Sequence, residues 1–449
     1  MRRPTRNDTN QLTEGAIFPT LLAFTLPILV GNLVQQLFNT TDLLIVGNFC
    51  GSAALAAVGA SASIINLYIG AAQGFAIGAG VVISNHLGAR NQTAMVRSVH
   101  TAVLISAMIG STLALISFCF SRWILQLMHT PDSVLPLSIQ YFRIYSVGLF
   151  FLALYNIGSG IFRAWGNTRL PLYYLIASAV LNVVLDLLFV GVFKMGVKGA
   201  ALASTFSQAL SAGLCFISLF SKNSLCPLQL ENMKIDSNEM HLILRNALPG
   251  SFQNCIVSLS NVVVQSNVNA FGELAIAGFV TYNKLGSFAV LPAIGLSMSI
   301  TTFVSQNLGA GKYDRINYGI RIGGIFAALV TGFIGGLVTI TAPQAIGLFN
   351  DEAEVIRIGT MMAHRVAPFL SLLGISHVLA GALRGAGLSR APMIILIATW
   401  CIFRMIWIYG FIHIVPDIRI IFWAYPVTWI SSVLALYWYW RYRFKNCLI

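Results

Sequence analysis

One feature limits the folds open to this chain more than any other: long apolar runs follow one another almost without interruption. They lie near 17–46, 54–85, 98–120, 138–162, 170–191, 197–220, 244–270, 275–307, 318–341, 358–383, 391–412 and 420–440. A helix needs about 20 apolar residues to cross a bilayer. Backbone groups in hydrocarbon must be satisfied within their own segment, so runs of this length are helices. Barrel strands are excluded, because they are about 10 residues long and alternate in polarity. The expected fold is therefore all-α and polytopic, with twelve transmembrane helices. Composition agrees: 57% of residues are hydrophobic and 9% charged, against roughly 25% charged in soluble domains. That excludes a soluble enzyme, a disordered chain and a disulfide scaffold. No polar stretch is long enough for the external domain of a single-pass receptor.

The formal net charge is +13. In a soluble protein such an excess suggests nucleic acid. Here the basic residues are scattered singly between apolar runs, so the expectation is no nucleic-acid partner and contact with anionic membrane lipids. Arg2, Arg3, Arg6, Arg90, Arg97, Arg163, Arg169, Arg384, Arg390 and Arg441 collect on one side of the spans, and few cations fall opposite. The basic side is cytoplasmic by the positive-inside rule. This predicts an integral protein of the cytoplasmic membrane with both termini inside. The first apolar run exceeds signal-peptide length and lacks a small-residue cleavage site. Seven dispersed cysteines with no CxxC pair argue against a disulfide framework or structural zinc.

The sequence repeats. Ser84-Asn85-His86-Leu87-Gly88-Ala89 returns as Ser305-Gln306-Asn307-Leu308-Gly309-Ala310. The same offset separates Arg163 from Arg384 and Pro171 from Pro392. Pro27 and Pro249 fall near the same place in spans 1 and 7. One offset recurring over separated segments marks an internal duplication. Six spans per repeat is an even number, so the two lobes sit the same way up as a parallel repeat, with a pseudo-twofold along the membrane normal. That is a transporter signature. The expected division is a first lobe at 1–220, a cytoplasmic linker at 221–243 and a second lobe at 244–449. The most polar internal stretch, Lys222 to Glu239, falls at this boundary.

Several chemistries lack their motifs. The nearest approach to a Walker A loop, around Gly311-Lys312, has Gln306 where the first glycine belongs and Tyr313 where Ser or Thr belongs. Neither HExxH nor GxSxG occurs. The chain is therefore expected to be no enzyme and to need no cofactor. Its energy would come from an ion gradient or from the substrate's own gradient.

Two acids lie deep in spans, Asp42 in span 1 and Asp186 in span 5. An ionised carboxylate in hydrocarbon costs at least about 2.5 kcal/mol. Each is therefore either a coupling-ion or proton site or a hydrogen-bonded structural acid. Burial raises a carboxyl pKa in general, which favours proton binding nearer neutrality. Asn32, Gln35, Gln36, Asn39 and Asp42 recur at helical spacing, a stripe that lines a wet cleft or else glues helices together. Asn182 lies one turn before Asp186, and Ser204 with Thr205 in span 6 offers further oxygens. Pro27 removes a backbone hydrogen bond and permits a kink, whether as a switch or as structure alone. Span 7 carries Gln253, Asn254 and Asn261 in place of a carboxylate. Ion coupling is thus expected in the first lobe, with the second completing the substrate pathway. Lys284 and Arg404 are the other charges within spans, each either a counter-ion or, as expected first, a side chain that snorkels along its own stem. His86, His100 and His364 read as ordinary polar residues near span ends in preference to proton relays.

Leu26-Pro27, Thr40-Thr41-Asp42, the Leu-Gly-Ala closings of spans 2 and 8, Arg163-Ala164-Trp165-Gly166-Asn167-Thr168-Arg169 with Pro171, and Asn182 with Asp186 together resemble the multidrug and toxic compound extrusion (MATE) family. The resemblance covers essentially the whole chain. It implies a twelve-helix antiporter that exports organic cations or other drugs in exchange for protons or sodium by alternating access. By this resemblance Asp42, Asn182 and Asp186 match the family's coupling residues, a possible sodium set, and Ser204 falls where relatives often carry Thr. Other relatives use acids in spans 7 and 10, which this chain lacks, so the resemblance favours the first-lobe mechanism. The expected partners are small-molecule drugs and membrane lipids, with no obligate protein partner. The alternative is a flippase for lipid-linked precursors, which would want a strongly cationic cavity for a pyrophosphate.

Overall fold

The computed structural model describes residues 12–128 and 130–447, so Arg2, Arg3 and Arg6 lie outside the described residues. Among the described residues the regular structure is entirely helical. The first lobe comprises α1 (Ile17–Gly88), α2 (Gln92–Cys119), the short α3 (Ser121–Leu127), α4 (Leu135–Ala164), α5 (Arg169–Asp186) and α6 (Val197–Phe220). The second comprises α7 (Ser237–Asn269), α8 (Glu273–Ala289), α9 (Leu291–Gly309), α10 (Tyr313–Ile340), the short α11 (Ala342–Gly347), α12 (Ala353–Val366), α13 (Leu370–Gly385), α14 (Arg390–Leu396), α15 (Arg404–Ile412) and α16 (Arg419–Cys447).

Ten of the described helices are long and apolar enough to cross a membrane. The 72-residue α1 is two spans meeting at a kink at Gly51, whose φ of 81° and ψ of −178° suit glycine. The 33-residue α7 is the twelfth span, its apolar face diluted by amides. The protein is thus a twelve-helix membrane protein of two six-helix lobes, as the sequence predicts. The short α3 and α11 begin at Ser121 and Ala342, which are equivalent positions in the two repeats, so the duplication extends to elements outside the spans. A π-helical segment interrupts the fifth span of each lobe, at Leu187–Val192 after α5 and at Ile397–Phe403 between α14 and α15. Such segments break the regular i→i−4 ladder and recur at functional sites.

The repeat is also visible in packing. A Cβ on Gly160 of α4 would sit 2.9 Å from the Ala76 carbonyl oxygen, and one on Gly381 of α13 would sit 2.5 Å from that of Ser297. Gly160 and Gly381 are repeat equivalents, and so are Ala76 and Ser297. Lipid tails are as apolar as side chains, so helices in a membrane associate by close packing at small residues of this kind. The first lobe carries two buried clusters. One, around Ile83, Val99, Ile161 and Leu219, takes in Cys226 and Leu228 of the linker. The other, around Val46, Ala57, Phe142 and Ala200, takes in Leu125 of α3.

The chain falls into two compact units, Leu26–Ser251 in one and Leu12–Thr25 with Phe252 onward in the other. Each lobe therefore holds the beginning of a helix whose remainder belongs elsewhere, and Pro27 and Pro249 stand next to the changeovers. In the second unit, Leu12 is fully buried. Its N–H donates to Gln306 Oε1 at 3.1 Å, and Asn307 Nδ2 donates to its carbonyl at 3.2 Å. Arg315 donates to the carbonyls of Leu12, Glu14 and Gly15 at 3.2, 2.7 and 2.7 Å. In the first unit, the linker and the start of α7 are strapped to α1 and α2. Glu239 accepts from Ser98 Oγ at 2.5 Å and lies 3.0 Å from His86 Nε2. The Asp236 N–H donates to Thr101 Oγ1 at 3.0 Å, and the Gln229 N–H to His100 Nε2 at 3.2 Å. His86 and His100 are thus parts of a clasp, which span-end position alone does not reveal.

Candidate functional site

The site is built on α1 beyond Leu26 and on α4, α5 and α6, all within the first unit. Asp42 is 7% exposed, and Asp186 and Asn182 are fully buried. The Asp42 and Asp186 side chains are neighbours, and the Tyr141 hydroxyl of α4 is turned towards Asp42. This geometry leaves Asp42 Oδ1 and both oxygens of Asp186 without a hydrogen-bond partner.

Register brings α6 to the same place. Ser178 Oγ donates to the Ser207 carbonyl at 2.6 Å. Further along, Gly199 packs on Phe189, with 3.0 Å from an added Cβ to the Phe189 Cβ. These two contacts fix α5 and α6 as antiparallel and put Asn182 and Ser204 at corresponding levels of the two helices. Both polar atoms of Asn182 and the Ser204 hydroxyl are buried without partners. Thr205 behaves differently: its hydroxyl donates to the carbonyls of Ala201 at 2.8 Å and Ile144 at 3.2 Å, which pins α6 to α4.

Nearly every buried polar atom in a folded protein has a partner, so a cluster of orphans calls for an explanation, and an ion or water is the usual one. The orphans here are mainly oxygens, from two carboxylates, an amide and a hydroxyl. Hard oxygen donors suit a proton or an alkali or alkaline-earth cation, not a soft metal. Two carboxylates packed together away from water also repel each other unless a positive charge joins them.

A model of the MatE family matches the chain twice, over residues 27–188 and 249–409, one match on each repeat. The chain belongs to the MatE family. It is accordingly an integral membrane protein of a transporter family. Among its relatives is a probable multidrug resistance protein of Bacillus subtilis (strain 168), YoeA, 27% identical over 448 residues, which is 98% of this chain and 96% of that protein. A second from the same organism, YpnP, also described as a probable multidrug resistance protein, is 29% identical over 86% of this chain and 87% of its own length. Among solved structures, the outward-facing conformation of a multidrug resistance MATE family transporter superposes with a TM-score of 0.92 at 22% identity, covering 98% of each chain. That likeness concerns the fold.

In this MatE chain the structure brings Asp42 and Asp186 together, while Asn182, one turn before Asp186 on α5, and Ser204 on α6 are buried without partners. The other polar residues of span 1 are spread along α1: Asn32, Gln35, Gln36 and Asn39 are half-buried, and Asn32 Nδ2 is unpartnered. In α7, Gln253 is buried, Asn254 half-buried and Asn261 exposed. Pro27 lies inside α1, which continues through it. Sequence reasoning does not single out Tyr141 and Tyr145. They stack at 5.7 Å between ring centroids, and Gln208 Nε2 donates to Tyr145 Oη at 2.9 Å. Their one-turn spacing is the available signal, but aromatics at helical spacing are ordinary in membrane spans. Arg404 departs from expectation. It does not snorkel but is 3% exposed.

Proposed function

We propose that this MatE chain is a secondary multidrug exporter of the cytoplasmic membrane. It would expel organic cations or other drugs in exchange for protons or sodium by alternating access. The observation that carries this reading is the set of unpartnered buried oxygens around Asp42 and Asp186. One positive charge, as a proton or a sodium ion, relieves the repulsion between the two carboxylates, with Asn182 and Ser204 as further oxygen donors. Emptying the site restores that repulsion and favours a different packing of α1 against α5. Coupling follows if drug and ion each prefer a different conformation. The names of the relatives, described as multidrug resistance proteins, support the choice of cargo.

In this reading the lobes at 1–220 and 244–449, joined by the linker at 221–243, are the bodies that alternate. Asn32, Gln35, Gln36, Asn39, Gln253, Asn254 and Asn261 line the drug pathway, and Pro27 is the point at which α1 would kink during transport. The basic excess puts both termini in the cytoplasm. The buried acids of the first lobe disfavour a lipid pyrophosphate as cargo.

The test is ethidium transport in proteoliposomes with a proton or a sodium gradient imposed, for wild type and Asp42→Asn in parallel. One gradient should drive uphill transport by wild type alone, and that names the ion. Uphill transport by Asp42→Asn at the wild-type rate would remove the mechanism.

A further inference from the structure

The second lobe contains a buried guanidinium with no acid to balance it. Arg404 opens α15, immediately after the π segment Ile397–Phe403. Its guanidinium carbon lies 4.6 Å from the centre of the Tyr425 ring, and Nη1 donates to Asn261 Oδ1 at 3.3 Å. Nε is buried without an acceptor. One turn earlier, the Trp400 indole N–H is also buried and unpartnered. Tyr425 shows Arg404 the electron-rich face of its ring, and Asn261 gives one neutral acceptor. Neither cancels a full charge.

Nor does the rest of the lobe supply a counter-charge. Among the described residues no carboxylate pairs with Arg404. The acids of this unit, Glu14, Glu273, Asp314, Asp351, Glu352, Glu354 and Asp417, all stand in loops or first helical turns. A buried charge that is neither paired nor solvated is costly, and a planar guanidinium with free N–H groups is the side chain best matched to a carboxylate. The repeat sharpens the contrast. Arg404 directly follows Phe403, the repeat equivalent of Asn182. Where the first lobe gathers orphaned acceptors, the second gathers orphaned donors.

We infer that Arg404, Asn261 and Tyr425 form a second-lobe site for a monovalent anionic group, in first place the carboxylate of a transported compound. Arg404 holds the charge through its unused N–H groups, Tyr425 holds the guanidinium plane, and Asn261 fixes its rotation. Compounds that carry both a cation and a carboxylate are then within the substrate range. This deepens the export reading and rests on it for the identity of the cargo, though the anion site itself does not require it.

The test uses the purified full-length protein. Benzoate binding is measured by calorimetry for wild type, Arg404→Gln and Arg404→Lys, in a carboxylate-free buffer with divalent sulfate as the bulk anion. Arg404→Gln should weaken benzoate by about tenfold or more, and Arg404→Lys by less, because it keeps the charge but loses the fork. A rhodamine with a free carboxylate and its methyl ester serve as matched cargo. Arg404→Gln should lose affinity for the acid and bind the ester as wild type does, which also shows that the variant is folded. Replacing sulfate by chloride distinguishes the sources: competition with benzoate assigns the site to a free inorganic anion, and no competition assigns it to cargo carboxylates. Benzoate binding without binding of either dye would sink the export reading and leave the anion site standing. Ester binding with no benzoate binding, or equal benzoate affinity in wild type and Arg404→Gln, would overturn the anion site and leave the export reading intact.

Discussion

His86 Nε2 lies 3.0 Å from Glu239 Oε2, joining the end of α1 to the first turn of α7 across 153 residues. Asn307, the repeat equivalent of His86, does the matching work in the other lobe by donating to the Leu12 carbonyl at 3.2 Å. Each lobe thus anchors the start of a span that continues in the other unit.

Glu239 is the stake of the first anchor, because Ser98 and His86 both reach it and it is 4% exposed. Replacing it by Ala leaves the Ser98 hydroxyl and the His86 ring short of a buried partner. The expected cost is about 1–3 kcal/mol, read as a lowered unfolding temperature of the purified protein. An unchanged melting curve would show the clasp to be incidental.

Cys226 reports on the same clasp. It is 2% exposed in the linker, and burial pushes its thiol up to about 11. Near neutral pH it should resist maleimide while the exposed Cys119 is modified. In Glu239→Ala, Cys226 should become reactive. Rapid labelling of Cys226 in wild type would contradict a docked linker.

Removing the charge of Asp186 should not harm folding. A carboxylate buried without a donor is a burden on the folded state, so Asp186→Asn is expected to be neutral or up to about 2 kcal/mol more stable while losing ion-driven transport. A variant that unfolds readily would point instead to a structural acid.

Gly160→Ala and Gly381→Ala should each cost about 1–3 kcal/mol, since the added methyl meets a backbone carbonyl that cannot swing aside. Because the two contacts lie in different repeats, the double variant should show the sum. Thermal shift of the three proteins measures this.

Asp417 is held below the usual carboxylate range by hydrogen bonds from Arg419, whose Nε donates at 2.6 Å and whose backbone N–H donates at 2.8 Å. A depressed folded pKa means the contribution is present above the unfolded value of 3.8 and fades as pH falls through the lower folded one. The pair is partly exposed, so Asp417→Asn should cost only about 0.5 kcal/mol at neutral pH and moderate salt. The difference should disappear in strong acid. A cost that grew on acidification would reverse the sign.

The twelve spans and the duplication were determined by the sequence alone, because helix length, hydropathy and a repeat offset are local or periodic properties. Asp42 and Asp186 stand out there too, since a carboxylate in an apolar span is conspicuous whatever surrounds it. Only the tertiary structure decided what these groups meet. The packing of α5 and α6 leaves Asn182 and Ser204 buried without partners and Thr205 bonded to backbone. Packing brings Tyr141 beside Asp42, ties Leu12 to Gln306 and buries Arg404 instead of letting it snorkel. In lipid, inward and outward faces of a helix are both apolar, so composition carries little record of which face meets a neighbour. That information resides in side-chain fit between helices distant in sequence.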